Sequence, residues 1–210
     1  MVYCPYSDMN NECRQEKMNN SNSYVRILQA SPNTPAVDVY ANDTLIAQNL
    51  TYKSFSPYST FPSGNYNMKV YYTGQKTNPL IDAKVFIPPG NVFNIAIIGL
   101  LPNISFYGIP EPNGPQNFGR PCIRFINLSP TEQALDLTVN GVKIFSNINY
   151  KDYTMYACIP AGEYTFRVYA AGTENLLSTI SNAQLEANKY YSIYALGVSP
   201  LETMLISEPR

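Results

Sequence analysis

The feature that most constrains this chain is that it repeats itself. Shifted by 98 residues, Tyr24-Val-Arg-Ile-Leu-Gln-Ala-Ser-Pro32 falls on Cys122-Ile-Arg-Phe-Ile-Asn-Leu-Ser-Pro130. Ala36-Val-Asp-Val-Tyr-Ala-Asn42 falls on Ala134-Leu-Asp-Leu-Thr-Val-Asn140. Pro62-Ser-Gly-Asn-Tyr66 falls on Pro160-Ala-Gly-Glu-Tyr164, and Ile95, Gly99 and Pro102 fall on Ile193, Gly197 and Pro200. Solenoid repeats are only ~20–50 residues long. A period this long means two copies of a whole domain. The 210 residues therefore divide into an N-terminal arm at 1–22, domain 1 at 23–110, a Pro-rich linker at 111–121 and domain 2 at 122–210. Proline favours extended backbone, so the linker reads as semi-rigid.

Each copy reads as all-β. Apolar and polar residues alternate in short stretches punctuated by Pro, Gly and Asn-rich turns. In the first copy this predicts strands near 24–30, 36–41, 44–49, 53–60, 65–72, 80–87 and 92–99, with a short eighth segment near 104–108. No segment has a convincing helical period; residues 182–189 read as a turn. Alternation turns Val37, Val39, Tyr66, Met68 and Val70 into the core, with Leu135, Leu137, Tyr164, Phe166 and Val168 in the second copy. Asn42-Asp43 and Asn140-Gly141 stand where a tight hairpin needs positive φ. About seven strands per copy, with turns every 8–12 residues, predicts two tandem immunoglobulin-like β-sandwiches.

Arg26 and Asp38 recur as Arg124 and Asp136. All four have the opposite parity to the core residues beside them, so they are expected to face away from the core. On neighbouring strands each pair makes a cross-strand salt bridge worth less than about 1 kcal/mol. In the repeated Pro-x-Gly-x-Tyr turn, the glycine supplies a left-handed position and the tyrosine hydroxyl caps the sandwich end.

Composition excludes several function classes. The chain has no His, so imidazole bases, His metal ligands and Ser-His-Asp or Cys-His nucleophiles are absent. A net charge of −1 without a basic run argues against nucleic acid. The longest apolar run, near 92–101, is too short to span a bilayer. The carboxylates are scattered and form no calcium-loop spacing. The chain therefore reads as a non-enzyme without cofactor or metal. Residues 1–13 lack the features of a signal peptide, which predicts a route other than Sec export.

The four cysteines are unevenly placed. Cys4 and Cys13 lie in the arm; Cys122 and Cys158 lie in the second copy, where the first has Tyr24 and Thr60. Three readings are open: free buried thiols, bridges within the chain, or bridges from the arm of one subunit to the second domain of the next. Only 14% of residues are charged, against roughly 25% in an ordinary domain, and 18 are Tyr. Such a surface suits contact with copies of itself. The expected function is a structural subunit of a self-assembling extracellular or spore-surface fibre or coat. In it the arm docks head-to-tail on a neighbour, with Val2 and Tyr3 adding a strand to a sheet edge. The competing expectation is a monomeric adhesin- or lectin-like surface module with an exposed aromatic cluster.

The segment Tyr24–Asn42 also resembles the opening of a bacterial domain-of-unknown-function family, number 4397, whose members begin with a similar V-R-hydrophobic-x-x-A-S-P-x-x-P-A-V-D-V-Y run. Residues 123–140 are a degenerate version, with Leu128 for the Ala and Gln133 for the second Pro. The resemblance covers 24–110 and 122–209. It implies β-sandwich modules of exported or envelope proteins, often in tandem, and no reaction. The cysteine arm and the missing signal peptide depart from that pattern and point to a spore-surface setting.

Overall fold

The structure, a computed structural model, describes residues 22–114, 119–131 and 133–208. Within them the first copy forms β1 (Ser23–Gln29), β2 (Val37–Ala41), β3 (Thr44–Leu50), β4 (Ser59–Phe61), β5 (Gly64–Tyr72), β6 (Ile81–Ile87), β7 (Val92–Leu100) and β8 (Asn103–Pro110). The second forms β9 (Cys122–Asn127), β10 (Leu135–Val139), β11 (Val142–Ile148), β12 (Ala157–Cys158), β13 (Gly162–Ala170), β14 (Leu176–Leu185), β15 (Tyr190–Leu196) and β16 (Glu202–Ser207). Each copy is a sandwich of two four-stranded sheets, β4-β1-β7-β8 over β3-β2-β5-β6 and β12-β9-β15-β16 over β11-β10-β13-β14. The chain is thus two tandem immunoglobulin-like domains. The eighth segment near 104–108 is a full strand, β8, pairing with β7 along its whole length. The segment expected at 53–60 contributes only β4 and an isolated bridge from Phe55 to Leu28.

The alternation places the cores as expected. Val37, Val39, Met68 and Val70 are fully buried in domain 1, as are Leu135, Leu137, Phe166 and Val168 in domain 2. Tyr66 and Tyr164 pack against these cores, and each hydroxyl donates to a proline carbonyl four residues back, Pro62 or Pro160, at 2.8 Å. Asn42, Asp43, Asn140 and Gly141 all have positive φ, as the hairpins require. The left-handed glycine expected in Pro-x-Gly-x-Tyr is not a shared feature: Gly162 sits at φ 155°, and Gly64 is not among the positive-φ residues.

The Ser-Pro dipeptide of the repeated motif ties two elements together. Ser31 Oγ donates to the Gly99 carbonyl at 2.8 Å, and Ser129 Oγ to that of Gly197 at 2.5 Å. These glycines open the β7–β8 and β15–β16 hairpins with positive φ. A Cβ on Gly99 would lie 2.4 Å from the Asn103 carbonyl oxygen, so no other residue fits there.

A third apolar cluster belongs to neither sandwich alone. Leu28, Ala30, Ala96, Ile98 and Ile109 of domain 1 pack against Ile126, Leu128, Tyr194 and Leu196 of domain 2. These residues point outward from their own cores, so the two β1/β7-type sheets are covered by each other. Burying one Leu or Ile side chain contributes about 1.5–3 kcal/mol. The apolar contact therefore contributes substantially to holding the copies together.

Candidate functional site

The repeated arginines are buried beside this apolar contact. Arg26 is 6% exposed and Arg124 2%, so neither lies on the free surface that its outward parity implied. Nor does either meet its expected aspartate. Arg26 is on β1 and Asp38 on β2, strands of opposite sheets; Arg124 and Asp136 are separated in the same way. The expected cross-strand bridges are absent for that reason.

Each arginine pairs instead with a carboxylate at the end of a last strand, and the bridge on Arg26 crosses between domains. Arg26 binds Glu208, which follows β16. Arg124 binds Glu111, which follows β8, at 2.5 Å. The Nε atoms donate within their own domains, Arg26 to Asn94 Oδ1 at 2.6 Å and Arg124 to Ser192 Oγ at 2.8 Å. Glu111 and Glu208 are equivalent, since their N–H groups donate to Val92 and Tyr190, which match at the 98-residue shift. The junction is therefore a pseudo-two-fold exchange, with each arginine held by the other copy's terminal carboxylate. Tyr194 joins the two halves by accepting from Asn94 Nδ2 at 2.8 Å.

Sequence reasoning missed both glutamates. Their signal is Ile109-Pro-Glu-Pro112 over Ile206-Ser-Glu-Pro209, which aligns at 97 rather than 98. One residue is lost in the hairpin: Ile98 pairs with Ser105, but its equivalent Leu196 pairs with Glu202.

Two arginines and two glutamates are buried together here, which carries a desolvation cost. Burial, followed by the neighbouring Glu208 carboxylate, pushes Glu111 up to about 8, against the pull of Arg124 and Arg26. Its Oε1 accepts from Arg124 and Asn94, whereas its buried Oε2 has no hydrogen-bond partner. Burial also raises Tyr58 to about 12 and holds Tyr194 well above the usual phenol range, so both stay neutral hydroxyls.

Glu111 and Arg124 are among the residues lining a cleft of about 320 Å³. Its walls are aromatic and apolar: Tyr153, Met155, Tyr156 and Tyr190, with Pro110 from the end of β8 and Pro112 from the linker. Tyr156 and Tyr190 pack with ring centroids 4.7 Å apart, and the Arg124 guanidinium lies 4.9 Å from the Tyr156 ring centre. Met155 is 85% exposed and Tyr153 41%. Among the described residues, no three His, Cys, Asp or Glu side chains come together as a metal-binding group.

The aspartates have a structural task. Asp38 accepts from the N–H groups of Asn49 and Gly74 at 2.8 and 2.9 Å. Asp136 accepts from Asn147 and Gly172 at 2.8 and 3.2 Å, and from Lys143 Nζ at 2.6 Å. Each carboxylate clamps a positive-φ bulge residue, Asn49 or Asn147, to a turn glycine. Burial raises Asp136, but these hydrogen bonds outweigh it and hold the group below its usual range.

Of the three readings of the cysteines, the structure takes the bridge within the chain for one pair: Cys122 and Cys158 are disulfide-bonded. They face each other across β9 and β12, as Tyr24 and Thr60 do across β1 and β4. Their sulfurs are joined to each other, so a bond from a neighbour's arm to either of them would have to displace this bridge. Cys4, Cys13, Val2 and Tyr3 lie outside the described residues.

The family described as a domain of unknown function (DUF4397) matches residues 23–138 and 123–210. The chain belongs to this family. It carries the DUF4397 domain twice, in keeping with the repeat and the two sandwiches. No curated protein matches the chain. Among solved structures, it is similar to CBMbc (family CBM26) from Eubacterium rectale Amy13K in complex with maltoheptaose. That match has 10% identity, covers 90% of this chain and 98% of that one, and has a TM-score of 0.27. A streptococcal virulence factor described by its alpha-glucan binding matches at 11% identity and a TM-score of 0.27, covering 89% and 97%. A product complex of the glycogen-degrading pneumococcal virulence factor SpuA matches at 13% identity and a TM-score of 0.26, covering 86% of this chain and 21% of that one. Scores this low transfer no ligand from those proteins to this DUF4397 tandem.

Proposed function

We propose that this chain is a non-catalytic binding module of a cell or spore surface, and that its ligand sits in the domain 2 cleft. The observation that carries this reading is the wall of Tyr153, Met155, Tyr156 and Tyr190 beside a buried, half-satisfied carboxylate. Tyrosine offers a large apolar face with few rotatable bonds, so it binds at a small entropic cost. A mostly apolar cleft with a few fixed polar groups is the usual form of a small-ligand site. The chemistry fits a neutral ligand with one apolar face and several hydroxyls, such as a sugar ring stacking on Tyr153 or Tyr190.

Affinity electrophoresis through gels containing soluble polysaccharides tests this reading. Retardation of the intact protein, relieved about tenfold or more in apparent Kd by Tyr153→Ala or Tyr190→Ala, is the expected result. A tenfold loss corresponds to about 1.4 kcal/mol. Migration unchanged across the whole panel contradicts the saccharide reading. In the fibre-subunit reading, an arm thiol would have to exchange with the Cys122–Cys158 bridge.

A further inference from the structure

The two sandwiches differ at one seam. In domain 2, Leu205 of β16 pairs with Ile193 and packs on the core. The matching position in domain 1, opposite Ile95, is Gly108. A Cβ placed on Gly108 meets nothing within 4 Å. The missing side chain leaves an apolar groove of about 290 Å³ between β6 and β8, reaching down to the core residues Val25 and Ile95. Phe86 stands beside it, 61% exposed. In domain 2 the corresponding seam is also held by a Ser178–Thr203 hydroxyl pair, at 2.9 Å. Both strands that border the domain 1 groove are sheet edges, so main-chain groups are available along its rim.

We infer that this groove is the docking site for the apolar head of the chain's own arm, Met1–Tyr6. The arm joins the fold at the groove. It leads into Ser23, whose Oγ donates to the carbonyl of Pro88, and Pro88 lines the groove, as does Val25 two residues on. The arm's chemistry is divided to match. Met1-Val-Tyr-Cys-Pro-Tyr6 is mostly apolar or aromatic, and residues 7–22 are dominated by Asn, Ser, Glu and other polar side chains. Residues 7–22 reach up to roughly 50 Å when extended, at ~3.3–3.6 Å per residue. A strand the length of β6 spans only ~23 Å, so the head can fold back onto its own domain. Tethering gives an effective concentration in the millimolar range, so docking within one molecule outcompetes docking between molecules at ordinary protein concentrations. An extended segment on such an edge gains main-chain hydrogen bonds while its side chains fill the slot. This docking is independent of the ligand cleft, which lies in domain 2.

The chain has no Trp, so Tyr3→Trp installs a single indole reporter. In the intact protein its emission is expected to be blue-shifted from that of the isolated 1–22 peptide with the same substitution. The shift should be independent of protein concentration. Gly108→Leu, which copies domain 2, should return the emission to the peptide value while leaving cooperative unfolding intact. Phe86→Ser, at an exposed position, gives a second route to the same loss. Emission equal to the peptide's in the intact protein, or unchanged by both groove variants, overturns the inference. A blue shift that grows with concentration together with oligomer formation overturns the intramolecular docking.

Discussion

At the scale of single residues, parity in the sequence was a sound guide to direction and a poor one to surroundings. Arg26 and Arg124 do point out of their own cores. What they meet, Glu208 and Glu111, is set by the packing of one copy on the other, which no local pattern encodes. Asp38 and Asp136 share the arginines' parity but clamp bulges in the opposite sheets. Replacing Asp38 by Ala leaves two backbone N–H groups without their acceptor and is expected to cost about 1–3 kcal/mol in chemical denaturation. Asp136→Ala should cost as much. The Glu111 carboxyl gives a pH signature. Its folded pKa, raised from 4.5 to about 8, means that the folded state holds its proton more tightly than the unfolded state does. This contribution to stability is fully present below about pH 4.5 and is lost as pH rises towards 8. Asp136 works the other way: its stabilisation is present above the ordinary Asp range and is lost on acidification. Glu111→Gln keeps a hydrogen-bonding amide and removes the titration. The fall in Tm between about pH 5 and 8 should flatten in that variant; an unchanged slope would assign it to another group.

At the scale of elements, the strands were largely legible. Alternation located β1 to β3 and β5 to β7 to within a residue or so, and Asn-Asp and Asn-Gly marked the hairpins. The weakest element was β4, because Lys53 to Pro57 follows the fold mainly through isolated contacts such as the Phe55 bridge. Its counterpart β12 has only two residues, and there the disulfide holds the edge to β9. The pairing was within reach of the sequence: Cys122 and Cys158 replace Tyr24 and Thr60, which adjoin across β1 and β4. What was lacking was the register, which depends on tertiary contact. Cross-linking a loop with a sequence separation of 36 is worth about 3–4 kcal/mol. Cys158→Ser is expected to lower stability by about that much. Because β12 directly follows the cleft residues Tyr153 to Tyr156, the variant should also weaken ligand retention in the same gels.

At the scale of the whole molecule, the duplication built something a single copy lacks. The outward faces of β1/β7 and β9/β15 cover each other, and the exchanged arginine–glutamate pairs sit beside that apolar contact. The repeat disclosed two domains; it did not disclose that they share a core, because Leu28, Ile98, Ile126 and Leu196 read equally well as pleat residues of separate sandwiches. The cleft depends on the same docking, since Pro110 at the end of β8 and Glu111 and Pro112 of the linker line it together with domain 2. If the junction unites the copies, they unfold together. Differential scanning calorimetry of the intact, oxidised protein measures this directly. A single transition with equal calorimetric and van't Hoff enthalpies is the predicted result. Two resolved transitions, one per domain, would contradict the shared core on which the candidate site rests.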